Sequence, residues 1–151
     1  MITLASRHRP LRVLCVEEDA LERKLLQACM DAARIEAIFA PDAAGAVRYF
    51  REHPVDMVMI DIDRHAPGEL GGFRRMRAVP IRGQSVPILA VTDNDCRWSE
   101  ADYRAVGFAG VFIKPMEPSR LFETIDDVLI RCTNQPPLLD MPAAWTMPHT
   151  A

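Results

Sequence analysis

Apolar residues along the chain fall into five short runs, separated by longer stretches in which they recur at helical spacing. The third run, Val55 to Asp61, has apolar residues at five of its first six positions. It is too short for an ordinary helix, and it stops on a carboxylate before a loop containing Pro67, Gly68, Gly71 and Gly72. That is the signature of a buried strand. A strand apolar on both faces is what a parallel sheet covered by helices requires. Leu11 to Val16, Ile35 to Ala40, Val86 to Val91 and Gly110 to Ile113 read as the other four strands.

Helices are expected in the intervals. Asp19 can cap the first, whose Leu21, Leu25, Leu26 and Cys29 share a helical spacing. Pro41-Asp42 opens a second that runs to about Glu52, with Ala43, Ala46, Val47 and Phe50 on its apolar face, and His53-Pro54 ends it. A third lies around Gly72 to Ala78. A fourth follows the polar turn Asp93 to Asp95 and runs to about Val106, closed by Gly107. Pro118-Ser119 opens the last, where Leu121, Phe122, Ile125, Val128 and Leu129 form the apolar stripe. Strand and helix alternate, so the fold class is α/β, a parallel sheet with right-handed crossovers and helices on both faces. Residues 1–10 read as a polar arm, 11–132 as one domain, and 133–151, rich in proline and without periodicity, as a flexible or peptide-like tail.

Charge and cysteine usage narrow the function. A net charge of -3 argues against nucleic-acid binding, and the basic clusters Arg7 to Arg12 and Arg74 to Arg77 read as solvated surface. Cys15, Cys29, Cys96 and Cys132 have neither metal-knuckle nor disulfide-framework spacing, which suits reduced thiols in the cytoplasm and disfavours zinc. No apolar stretch approaches the roughly 18 residues of a membrane span, and the first ten residues lack the apolar core of a signal peptide.

Four of the five strands end in a residue with chemistry: Glu17 and Glu18, Asp61, Thr92, and Lys114. In open parallel sheets the C-terminal strand ends form the ligand crevice. With strand order 2-1-3-4-5, the first and third strands would be neighbours and three carboxylates would share that crevice. Like charges so placed call for a hard divalent cation with oxygen ligands, most naturally Mg²⁺. A carboxylate beside such an ion can attack phosphorus. Thr92 can then offer a hydroxyl and Lys114 a point charge. The chain uses arginine almost throughout, with Lys24 its only other lysine, so the choice of lysine at 114 carries meaning. The Lys114-Pro115 bond is a candidate for the cis form.

From Leu11 to Cys132 these residues resemble the receiver domain of bacterial two-component response regulators. The resemblance rests on the acids in LCVEED, the acceptor in VDMVMID, the hydroxyl in PILAVT and the lysine in VFIKP, in that order. It implies a flavodoxin-like (βα)5 fold with strand order 2-1-3-4-5. It further implies that Glu17 and Glu18 hold Mg²⁺ with Asp61 and the backbone carbonyl of Asp63, that Asp61 accepts the phosphoryl group, and that Thr92 and Lys114 contact it. Four features depart from the family's pattern: Glu18 in place of a shorter acid, a lengthened loop after Asp61 that contains His65, Asp93 after the hydroxyl, and Val111 where a mobile aromatic is usual.

The expected function is that of a single-domain receiver. It would be phosphorylated on Asp61 by a histidine kinase or phosphotransfer protein, catalyse no more than its own modification and its reversal, and signal through contact with a downstream protein. The alternative is a receiver-like adaptor that acts without phosphate, through a constitutive interface or a homodimer, with the proline-rich tail as a docking peptide. A flavodoxin shares the fold alone, and Glu17-Glu18-Asp19 would repel a flavin phosphate.

Overall fold

The computed structural model describes residues 9–62, 67–93 and 98–133, with the backbone alone for 67–70 and 133. Five parallel strands form one sheet: β1 (Arg12–Val16), β2 (Glu36–Ala40), β3 (Met57–Asp61), β4 (Ile88–Thr92) and β5 (Gly110–Ile113), in spatial order β2-β1-β3-β4-β5. Among the described residues six helices accompany them: α1 (Ala20–Ala32), α2 (Ala43–Glu52), α3 (Pro67–Arg77), α4 (Arg82–Ser85), α5 (Glu100–Ala105) and α6 (Pro118–Thr133). The expected α/β class and strand order are therefore observed.

Alternation along each strand sorts the core into two layers. Leu14, Val16, Val58, Ile60, Ile88 and Ala90 face Ala46, Val47 and Phe50 of α2, Phe73 and Met76 of α3, and Tyr103 of α5. The intervening residues, Val13, Cys15, Met57, Met59, Leu89 and Val91, face Leu26, Cys29 and Met30 of α1 and Leu121, Ile125 and Val128 of α6. In β3, Met57, Val58, Met59 and Ile60 are each 2% exposed or less, so the run is apolar because both sides of it are core. Each such side chain contributes roughly 1.5–3 kcal/mol by leaving water. Asp56, the polar residue within the run, lies just before β3; its carboxylate accepts both guanidinium N–H groups of Arg9 and the Arg12 backbone N–H, at 2.8 to 3.0 Å.

The helix ends follow their capping residues. Asp19 accepts the Glu22 N–H at 2.9 Å, and Asp42 accepts the Gly45 N–H at 2.7 Å. Ser99 and Asp102 form a reciprocal capping box that starts α5 at Glu100, later than the turn at Asp93 to Asp95 suggested. Gly107, at φ 103°, closes it in the left-handed region that glycine tolerates. The Lys114-Pro115 bond is cis, as expected for that pair.

Three expectations are corrected. On α1 the buried face is Leu26, Cys29 and Met30, whereas Leu21 and Leu25 are 68% and 51% exposed. Both sets obey helical spacing, and only docking on the sheet chooses between them. The extra helix α4 is a single turn, too short to leave a periodic signal; it follows Ile81, which is 81% exposed at φ 66°. Finally, Arg77 is not solvated surface. Arg74 and Arg75 are exposed, but Arg77 is buried, and its guanidinium donates to the carbonyls of Gly83 (3.0 Å), Val86 (2.9 Å) and Gly107 (2.7 Å). Burial lowers its pKa to about 10, so it stays cationic at neutral pH. One side chain thereby ties α3 to the α4 turn and to the loop between α5 and β5.

Arg77→Met should keep the volume but strand those three carbonyls, destabilising the protein by about 2–4 kcal/mol in urea denaturation. Arg75→Ala, on the exposed side of the same helix, should stay within about 0.5 kcal/mol. Equal midpoints for the two variants would show that Arg77 is not the tie described.

Candidate functional site

The ends of β1, β3, β4 and β5 meet at one edge of the sheet, because their pairing is nearly level there: Val16 lies opposite Ile60, Asp61 opposite Val91, and Thr92 opposite Ile113. Glu17, directly after β1, is buried at 6% exposure. Asp61 ends β3 with its side chain 12% exposed, and Lys114 follows β5 with its side chain 15% exposed. Thr92 ends β4 at 1% exposure, and its carbonyl accepts the Lys114 N–H at 2.8 Å.

The side chains form a connected set. Lys114 Nζ lies 2.8 Å from Asp61 Oδ2 and also 2.8 Å from Glu22 Oε2. Glu22 stands in the first turn of α1, where its N–H is held by Asp19, and the Asp19 N–H in turn donates to Glu17 Oε1 at 2.9 Å. The loop after β1 and the start of α1 are thus pinned to each other by Asp19 and to the centre of the sheet by Lys114. Glu17 feels the crowding. Burial first, and then its hydrogen bond and charge repulsion with Asp61, raise its pKa to about 8, against the opposing pull of the Asp19 N–H.

Glu17, Glu22 and Asp61 each offer a carboxylate oxygen, and the three atoms lie within 4.8 Å of one another. All-oxygen donors of like charge at that separation suit a hard divalent cation of the magnesium type. Of the acids singled out from sequence, Glu17 and Asp61 belong to this cluster. Glu18 is exposed and outside it. Asp63 and His65 lie outside the described residues. Asp93 is exposed, next to buried Thr92. Sequence reasoning did not single out Glu22, although its signal was present: an acid three residues after the N-cap lies in the first turn of a helix that starts at the crevice.

Val111 on β5 is half-buried against the core layer beneath α2, α3 and α5. Aromatic rings reach that layer from elsewhere. Trp98 meets Tyr103 at 5.2 Å, Tyr103 meets Phe108 at 6.2 Å, and Phe108 stacks on Phe73 at 4.2 Å between centroids. They join the entry and exit of α5 to α3.

Comparison with known proteins extends this picture. The family model for the response regulator receiver domain matches residues 13–126. The polar-differentiation response regulator DivK of Brucella anthropi is 27% identical over 122 residues, covering 80% of this chain and 97% of DivK. The sensor histidine kinase AruS of Pseudomonas aeruginosa is 29% identical over 123 residues, so 78% of this chain matches 12% of that much longer protein. Among solved structures, the chemotaxis response regulator CheY4 of Vibrio cholerae superposes with a TM-score of 0.64 at 25% identity, covering 79% of this chain and 98% of CheY4. The receiver domain of another Pseudomonas aeruginosa sensor histidine kinase, solved with magnesium coordinated in its active site cleft, has a TM-score of 0.70 at 20% identity, covering 80% and 98% of the two chains.

The raised pKa of Glu17 has a measurable consequence for the metal-free protein. Between the ordinary value of 4.5 and about 8, the folded chain keeps a proton that the unfolded chain has lost. The resulting stabilisation is complete below the lower value and is lost as pH rises through the upper one. Glu17→Gln should therefore flatten the fall of the urea midpoint over that range in the presence of a chelator, and should make the protein more stable than wild type above it. An unchanged slope would show that Glu17 is not the group responsible.

Proposed function

The chain belongs to the response regulator receiver family, and from that membership we propose that it is a phosphorylation-dependent switch with Asp61 as its phosphoacceptor. It is a receiver of the two-component type. The observation that carries the finer reading is the 2.8 Å contact between Lys114 Nζ and Asp61 Oδ2 at the crevice edge. An ammonium so placed faces the position where phosphoryl charge develops.

In the proposed reaction a carboxylate oxygen of Asp61 attacks phosphorus. The new O–P bond forms as the bond from phosphorus to the donor's histidine nitrogen breaks, and the nitrogen keeps the electron pair. Lys114 and the Thr92 hydroxyl then engage the phosphoryl oxygens. Glu17 and Asp61, with Glu18 and the Asp63 carbonyl as the family resemblance implies, would hold Mg²⁺, which would supply positive charge against the converging carboxylates and the incoming group. Thr92 and Lys114 end adjacent strands and are joined through their backbones, so a shift of either is felt in α5, β5 and α6, the face proposed to contact the downstream protein. In this reading the switch is the unit 11–132, its donor is a histidine kinase or phosphotransfer protein, and its compartment is the cytoplasm. Among the described residues Cys15, Cys29 and Cys132 are free thiols, and no helix is long and apolar enough to cross a membrane.

A second reading has one observation in its favour. Lys114 is already paired with Glu22 as well as Asp61, so the unmodified site is a satisfied state in its own right. That suits an adaptor which acts without phosphate.

Intact-mass analysis after incubation with acetyl phosphate and Mg²⁺ separates the two. The switch requires a gain of one phosphoryl group by wild type that disappears in Asp61→Asn and on chelation of the metal. No gain under conditions that modify an ordinary receiver would favour the adaptor.

A further inference from the structure

We infer that Glu22 is a positioning residue that holds Lys114 in its resting place and so restrains the phosphorylation of Asp61. The inference rests on the acceptor reading above and concerns how that site is regulated. Lys114 Nζ bridges two carboxylates at the same distance, 2.8 Å to Glu22 Oε2 and 2.8 Å to Asp61 Oδ2. The bridge is sheltered, with side-chain exposures of 15% for Lys114, 32% for Glu22 and 12% for Asp61, so it is screened less than an open surface pair.

Glu22 has limited freedom to follow the lysine. Its N–H is fixed to the Asp19 carboxylate at 2.9 Å, and the Asp19 N–H is fixed to Glu17 at 2.9 Å, so its backbone is set by the capped start of α1. When Asp61 takes a phosphoryl group from acetyl phosphate, an O–P bond forms, the P–O bond to acetate breaks, and acetate leaves with the electron pair. Two negative charges replace one at the head of β3. An ammonium has three donors on a flexible stem and can turn toward the new oxygens. Any turn toward them draws the ammonium away from Glu22, whose own charge then faces the phosphoryl group with less ammonium between them. The Glu22 carboxylate therefore favours the unmodified state.

The test compares wild type, Glu22→Gln and Glu22→Asp by the rate of phosphoryl uptake from acetyl phosphate at saturating Mg²⁺, with Mg²⁺ affinity measured separately by calorimetric titration of the unmodified protein. Gln keeps the length without the charge, and Asp keeps the charge without the reach. Uptake about fivefold faster in Glu22→Gln, with Mg²⁺ affinity within about threefold of wild type and Glu22→Asp shifted the same way, is the expected result. Uptake that is unchanged or slower in Glu22→Gln overturns the inference. So does a loss of Mg²⁺ affinity of tenfold or more, which would make Glu22 a ligand instead. No uptake by wild type or either variant would instead overturn the acceptor reading, and the restraint would fall with it.

Discussion

A parallel strand in the middle of a sheet has no face to give to water, and this constraint shapes the molecule. The β3 side chains from Met57 to Ile60 are buried on both sides, so helices must cover both faces and every crossover must return over one of them. Polar groups are then left to the strand ends. At the C-terminal edge the chain leaves β1, β3, β4 and β5 through Glu17, Asp61, Thr92 and Lys114, and nearly level pairing brings these ends together. The site is thus a consequence of how the core is covered, and the rigid apolar strands beneath it keep its groups in place.

What gathers at that edge is electrostatically uncomfortable without a cation. Glu17 responds by holding its proton far above the ordinary carboxylate range, and Asp61 and Glu22 respond by sharing one ammonium. A phosphoryl group or a divalent ion arriving here meets a balance already struck among three carboxylates and a lysine. Thr92 and Lys114, at the ends of adjacent strands, are joined there by a backbone hydrogen bond, so the hydroxyl and the ammonium sit on one connected stretch of the edge. Away from the crevice, Arg77 and the rings from Trp98 to Phe73 brace α5 against α3, so that any movement of α5 has a fixed neighbour to move against.

The legible parts of the fold were those written in local chemistry. The apolar runs marked the strands to within a residue or two, Asp19 and Asp42 marked two helix starts, and Gly107 marked a helix end, since each of these depends on neighbours close along the chain. The placement of Asp61, Thr92 and Lys114 at the strand ends was legible for the same reason: a polar residue closing an apolar run is visible without coordinates. The face of α1 was not, because Leu21 and Leu25 satisfy the helical period as well as Leu26 and Cys29 do. Nor was Arg77, one of three arginines within four residues of which it alone turns inward.

The sequence by itself therefore determined the elements, their α/β alternation and the acid, hydroxyl and lysine carried to the strand ends, because periodicity, capping and turn chemistry act over a few residues. Only the tertiary structure decided that Glu22 would join Asp61 on Lys114 and that Glu18 would stay in solvent. It also decided that Arg77 would tie three carbonyls across the α3 side of the sheet. Those pairings join residues from different strand ends, helices and loops, and a contact between such residues is settled by how layers pack on both faces of the sheet, information that no short window of sequence contains.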